Sequence, residues 1–268
     1  MIVDAHIHLW TGGTPRSAHR QRPYSKDEAL ADMDRAGVDA AVIQPPAWDP
    51  RAHEVAGDAA RSHPDRFAIL GNFPLEESGG SARLQHWKAQ PGMLGLRYIF
   101  NEPRHAAWLE GDALDWLWSG AERLDIPIAL ATAAYLPLLG KLARRYPGLR
   151  LLVDHLGVPL GATGTAAFAH IEQLEALARF PNIAVKATGA PAYATDAYPY
   201  CSIHPYLERI FQAFGPRRFF WGTDITKMPC AWRECVTMFT EQLPWLSPAD
   251  KPLVMGAALC EWLKWRRK

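Results

Sequence analysis

Tyr146-Pro147-Gly148-Leu149-Arg150-Leu151-Leu152-Val153-Asp154-His155 passes from a proline–glycine joint through an apolar stretch to two polar residues. The leucines and basic residues of 136–146 predict a helix, which Pro147 and Gly148 end, and the apolar stretch that follows has the length of a buried strand. The same order of helix, punctuated joint and strand recurs. His63-Pro64, Phe180-Pro181-Asn182 and Gly215-Pro216 mark three further joints, alike in expected geometry and not in sequence. Outward from 149–155 the chain shows eight apolar runs: the N-terminal run through Trp10, then 38–44, 66–73, 93–100, 126–132, 149–155, 183–188 and 217–224.

A helical pattern follows each run. Ser25-Lys26-Asp27-Glu28 is a capping box, Leu30, Met33 and Ala36 form the buried stripe behind it, and Gly37 ends that helix. Asp49-Pro50 opens the second, which should stop near His63-Pro64. Further helices are expected at 81–90, from Asp112 through Leu114, Trp116, Leu117 and Trp118, at 136–146, 165–180, 202–214 and 231–242, and after Ser247-Pro248. Repeated strand–helix units imply a parallel sheet, and eight of them favour closure into a (β/α)8 TIM barrel, a single domain spanning 1–268. No G-x-G-x-x-G follows the first run, which argues against an open dinucleotide-binding sheet.

The composition narrows the partners. A net charge of +1 leaves no broad basic footprint for nucleic acid, and the tail Lys264-Trp265-Arg266-Arg267-Lys268 reads as a solvated helix end. The uncharged run 126–140 contains Pro127 and Pro137 and is too short to cross a bilayer, so no membrane partner is expected. Met1-Ile2-Val3 enters a strand directly without a secretory pattern, which makes the cytoplasm the expected location. Cys201, Cys230, Cys235 and Cys260 have no C-x-x-C spacing and are expected to be reduced thiols. The expected partner is a small-molecule substrate; oligomeric state has no signature in the sequence.

In such a barrel the active site lies at the C-terminal ends of the strands. The runs finish in His6 and His8, Gln44, Asn72, Arg97, Thr132, Asp154-His155, Lys186 with Thr188, and Asp224. In Asp4-Ala5-His6-Ile7-His8-Leu9-Trp10, period-2 alternation puts Asp4, His6 and His8 on one face and Val3, Ala5, Ile7 and Leu9 on the other. Two imidazoles at this spacing suit a metal, and in an apolar interior they need an ionic or polar partner. Asp224 ends a nearly apolar run and also needs one. Gln44 and Asn72 could be turn formers before prolines, the favoured reading for Asn72. Arg97 and Lys186 could form a structural ion pair with Asp154 or Asp4. His53, His63, His86 and His170 fall on helices or their ends, where solvation is expected; His19 lies in the first loop. His105 and His204 lie by loops at the barrel mouth, with a surface role expected. Tyr193, Tyr198 and Tyr200 either line a pocket or pack their own loop.

Four stretches in order resemble the amidohydrolase superfamily, and most of all its amidohydrolase-related branch of lactonases and decarboxylases. They are Asp4 to Trp10, Val153-Asp154-His155-Leu156-Gly157-Val158-Pro159, Val185-Lys186-Ala187-Thr188-Gly189 and Phe219-Phe220-Trp221-Gly222-Thr223-Asp224. Met255-Gly256-Ala257-Ala258-Leu259 is similar to that branch's last helix. The resemblance implies a catalytic and metal-binding set of His6, His8, His155 and Asp224, with one divalent metal, Zn²⁺ by type, or none. It implies substrate contacts at Arg97 and Lys186, to which Thr188, Trp10 and Gln44 are added from the strand ends. Arg97 stands on the fourth run in place of the carboxylated lysine that bridges two metals in many relatives, so a binuclear centre is not expected. The fifth run ends without a histidine, and His155 falls on the sixth. Asp-His-Leu-Gly-x-Pro resembles the lactonases more than the decarboxylases. The implied activity is hydrolysis of a lactone of a small carboxylate-bearing or hydroxylated molecule, with Asp224 as general base. Non-oxidative decarboxylation of an aromatic or enol acid is the alternative, and a barrel that binds a small ligand without chemistry is a third.

Overall fold

The computed structural model describes residues 1–267; Lys268, the last residue of the basic tail, lies outside them. Eight parallel strands follow one another around a barrel in sequence order. They are β1 (Val3–Ile7), β2 (Ala40–Ile43), β3 (Phe67–Gly71), β4 (Met93–Ile99), β5 (Ile128–Ala131), β6 (Leu151–Val153), β7 (Ile183–Ala187) and β8 (Phe219–Trp221). This is the (β/α)8 barrel expected from the alternation, and His155 follows β6.

Two cores account for the alternation within each strand. Inward-facing Val3, Ala5, Ala40, Val42, Ala68, Leu70, Ala129, Leu152, Ala184 and Phe220 fill the barrel, and Ala258, Leu259 and Leu263 of the last helix pack against that filling. The opposite faces, among them Ile7, Ile43, Ile69, Leu96 and Val185, meet the surrounding helices. The small alanines leave room for Leu152 and Phe220, as a closed barrel interior requires.

The strict alternation expected for Asp4, His6 and His8 fails at one point. Val3 and Ala5 face the barrel interior, yet the register with β2 shifts between Asp4 and Ile7. A bulge of this kind re-aims the side chains that follow it. Asp4 is thereby turned away from the histidines and becomes the latch between β8 and β1. Its carboxylate accepts from Thr223 N–H (2.9 Å), Thr223 Oγ1 (2.5 Å), Trp232 Nε1 (2.9 Å) and His6 N–H (2.9 Å). Asp224 N–H donates to His6 O at 2.8 Å on the same seam. Gly222 lets the two strands approach: a Cβ there would lie 2.7 Å from Ala5 N and 2.6 Å from Thr188 Cγ2.

The helices match the expected pattern with instructive exceptions. Lys26–Ala36 has Ser25 accepting from Glu28 N–H, and Gly37 ends it in the left-handed region at φ 75°. The second half of the capping box is absent, because the Glu28 carboxylate pairs with Arg20 and Arg22. The helix expected at 165–180 is broken into Gly164–Ala167 and Ile171–Leu177. At the break, the His170 ring bonds Leu156 O at 2.8 Å and braces the turn after β6, which corrects the expected solvated role. A helix at Pro103–Glu110 occupies what reads as loop in the sequence. His105 at its start accepts from Glu102 N–H at 3.0 Å and is buried between Phe100 and Trp108, so it is not a surface residue. In the described part of the basic tail, Trp265 is buried and Arg267 donates to Asp65 O and Asp39 O. The four cysteines are free, with Cys230 and Cys235 sulfurs 3.5 Å apart. No helix among the described residues is long and apolar enough to cross a membrane.

Candidate active site

The bulge in β1 and two left-handed turns bring the four resemblance-derived residues together. His155 (φ 56°) and Leu156 (φ 56°) turn sharply after β6, and Asp224 (φ 59°) does so after β8. Left-handed backbone is costly for residues with a Cβ and is held only where the surroundings enforce it. Here it points the His155 ring and the Asp224 carboxylate inward over the barrel. His6 Nε2 lies 3.3 Å from His8 Nε2, and the His6 and His155 ring centres are 4.6 Å apart. Asp224 Oδ1 lies 3.5 Å from His8 Nε2, and Oδ2 lies 3.8 Å from His155 Nε2.

Each ring is oriented from behind. His8 Nδ1 is 2.6 Å from Gln44 O, which can only accept, so the proton sits on Nδ1 and Nε2 presents its lone pair to the site. His155 Nδ1 pairs with Thr188 Oγ1 at 2.8 Å. His6 Nδ1 faces Lys186 Nζ at 3.2 Å and Asp154 Oδ2 at 3.9 Å. With Lys186 as an ammonium donor, His6 carries its proton on Nε2 and donates to His8. An ion between the two Nε2 atoms requires that proton on Nδ1 instead, towards Asp154.

Burial dominates the charges. It pushes His8 down to about 4 and also lowers His6, His155 and His19, so these imidazoles are neutral at pH 7. For Asp224, burial alone would raise the carboxyl, but the Lys227 ammonium 2.9 Å from Oδ2 holds it well below the usual carboxylate range. Asp154 behaves likewise: Lys186 (2.7 Å) and Arg97 Nε (2.9 Å) outweigh its burial and keep it ionised. Three cations against two carboxylates leave one positive charge in excess, which suits an anionic or oxyanionic ligand.

The other sequence-derived candidates divide. Lys186 is fully buried beneath the histidines and committed to Asp154 and His6, the ion pair weighed from the sequence. Arg97 commits only Nε to that pair, and its side chain keeps 11% exposure. Thr188 orients His155, and Trp10 is buried against Trp48 and Tyr24. Gln44 is fully buried, yet neither its carboxamide oxygen nor its nitrogen has a partner in the protein. Two members have no signal in the sequence. Lys227 Nζ lies 2.9 Å from Asp224 Oδ2, and the His19 ring stands over Trp48 with Nδ1 3.9 Å from Asp224 Oδ1. Both arrive on loops whose composition gives no hint of where they fold. Beside the site is a cavity of about 610 Å³ between the loops after β7 and β8, with Tyr198, Tyr200, Pro229 and Glu234 in its walls and Lys227 joining it to Asp224. Tyr193 instead packs its own loop, donating to Thr188 O.

The donor set fits a divalent ion. His6, His8 and Asp224 each offer a ligand atom within 4.8 Å of the others, and His6, Asp154 and His155 do the same. Two imidazole nitrogens bound about 2.05 Å from a tetrahedral ion stand roughly 3.3 Å apart, which is the His6–His8 separation found here. Asp224 Oδ1 is buried and makes no hydrogen bond.

Known proteins share this fold. An L-fucono-1,5-lactonase of Burkholderia ambifaria is 25% identical over 230 residues, 83% of this chain and 79% of that protein. A crystallised amidohydrolase of Burkholderia multivorans with bound zinc superposes with a TM-score of 0.84 at 20% identity, covering 99% of this chain and 100% of the other. A 5-carboxyvanillate decarboxylase of Novosphingobium aromaticivorans, crystallised with manganese, superposes at 0.72 with 16% identity over 98% and 96% of the two chains. The amidohydrolase family model matches residues 3–256, from the strand bearing the paired histidines to the start of the closing helix, and by that match this chain belongs to the amidohydrolase family.

Proposed function

We propose that the protein hydrolyses a lactone of a small hydroxylated or carboxylate-bearing molecule. The observation that carries this reading is the Asp224 carboxylate: ionised, buried, with Oδ1 free of hydrogen bonds and 3.5 Å from His8 Nε2. A water between Oδ1 and the histidines would give its proton to Asp224 as its oxygen adds to the lactone carbonyl carbon. The ring C–O bond then breaks, and the ring oxygen leaves as an alcohol on taking that proton back. His6 Nε2–H would donate to the water and His8 Nε2, a lone pair, would accept from it, while His155, with Thr188 Oγ1 donating to its Nδ1, would offer Nε2–H to the developing oxyanion. Arg97 directs the guanidinium nitrogens not used by Asp154 at a substrate carboxylate or ring oxygens. Gln44, with an open donor and acceptor, adds a contact, whereas Thr188 and Trp10, buried and engaged with His155 and with Trp48 and Tyr24, support the site from behind; Lys186 acts from beneath by orienting His6. A single divalent ion such as Zn²⁺ on His6, His8, His155 and Asp224 would lower the pKa of the water and polarise the carbonyl.

The relationship to a lactonase over most of the chain supports ring opening. The same donor set and the spare face of Arg97 would also serve decarboxylation of an aromatic or enol acid. The test is to offer hydroxylated lactones, L-fucono-1,5-lactone among them, and aromatic carboxylic acids, and to follow acid release and carbon dioxide in parallel. Acid release from a lactone supports the reading; carbon dioxide alone replaces it with decarboxylation, and ligand-induced stabilisation with neither product means a binding barrel.

A further inference from the structure

Lys227 is the nearest charged group to Asp224, and its position is unusual for a structural lysine. The chain leaves β8 through the left-handed Asp224 and makes one tight turn over Ile225–Lys227. That turn is already secured without the ammonium. Lys227 N–H donates to Asp224 O at 3.0 Å, Met228 N–H donates to Ile225 O at 3.1 Å, and Thr226 Oγ1 bonds His19 Nδ1 at 2.8 Å. The side chain nevertheless folds back, 15% exposed, and places Nζ 2.9 Å from Asp224 Oδ2 at the inner end of the 610 Å³ cavity.

A carboxylate free to turn about its terminal bond offers either oxygen to a water. Here the two oxygens face different neighbours: Oδ2 has Lys227 and, at 3.8 Å, His155 Nε2, while Oδ1 has His8 Nε2 at 3.5 Å, His19 Nδ1 at 3.9 Å and no hydrogen bond. We propose that Lys227 is a positioning residue that clamps Oδ2 and so keeps Oδ1 as the oxygen that receives the proton of the attacking water. The inference rests on the reading of Asp224 as general base. It gives the ammonium a task that the turn itself does not need, and a loss of clamping converts one productive orientation into several.

The test combines structure with kinetics. In a crystal structure of Lys227→Met, the Asp224 carboxylate is expected to rotate away from its wild-type plane; an unmoved carboxylate would overturn the proposal whatever the substrate. With a lactone that the wild type opens, Lys227→Met should lower kcat about 100-fold, the scale of a misplaced reacting group. KM should stay within about threefold, because ground-state binding is not what is lost. Lys227→Ala should recover activity with added n-propylamine, and Lys227→Arg should retain most of it. A low kcat that neither the amine nor Arg restores assigns Lys227 to structure and overturns the proposal, as does a normal kcat in Lys227→Met. If Lys227→Met fails to fold, the neutral Lys227→Gln takes its place. Asp224→Asn separates the two ideas. Turnover in that variant removes the general-base reading itself, whereas a dead Asp224→Asn beside a fully active Lys227→Met removes only the clamp.

Discussion

At the scale of single residues, the site is a set of neutral bases around one ionised carboxylate, and each member can be tested alone. Asp224→Asn keeps the shape and removes the base, so turnover should fall about a thousandfold while near-ultraviolet circular dichroism stays that of the wild type. Activity within tenfold of wild type would dismiss Asp224 as the base. A divalent ion predicts a different signature. Added zinc should raise the melting temperature and saturate at one ion per chain by metal analysis, and His6→Ala or His8→Ala should abolish that rise. These residues were legible in the sequence for a simple reason. Histidine and aspartate at the ends of apolar runs are expensive to bury, so their type and place announce a partner before its identity is known. Lys227 and His19 carried no such mark, because a lysine or histidine in a loop is ordinarily solvated, and only the folding of two distant loops against Asp224 makes them part of the site.

At the scale of elements, the seam between β8 and β1 decides whether the site exists. Asp4 draws Thr223, Trp232 and the backbone of His6 to one carboxylate, and Gly222 permits the approach. Gly222→Val should therefore cost about 1–3 kcal/mol through overpacking, read as a lower urea midpoint, with activity falling alongside because β1 and β8 carry three of the four converging residues. An unchanged midpoint would show that the seam is loose. The alternation of apolar residues foretold β1 as a strand but misplaced Asp4, since a bulge changes the face count without changing composition. The joint punctuation predicted helix ends well. It held at Phe180-Pro181-Asn182 too, but the continuous helix expected over 165–180 is broken where His170 braces Leu156 O.

At the scale of the whole molecule, burying four neutral histidines at one end of a barrel ties stability to pH. Their folded pKa values are lowered, that of His8 to about 4, so the unfolded chain binds more protons below the ordinary histidine value. Stability is thus full above about 6.5 and is lost as pH falls, on the order of 1 kcal/mol per unit for each histidine. Asp4 opposes this: burial raises it to about 6, so acidification through that value relieves its buried charge. His53 and His105, also lowered by burial, join these four, so six groups against one predict a urea midpoint that drops between pH 7 and pH 5, and a flat profile would contradict the neutral-histidine assignment. By itself the sequence determined the eight-fold strand–helix alternation, the barrel that follows from it, and the polar residues at the strand ends, because periodicity and punctuation are local properties of the chain. Only the tertiary structure decided which of those residues meet, that Lys186 lies sealed beneath the site while Arg97 keeps some exposure, and that Lys227 stands 2.9 Å from the central carboxylate. Those outcomes depend on distances between loops far apart along the chain, which no local pattern encodes.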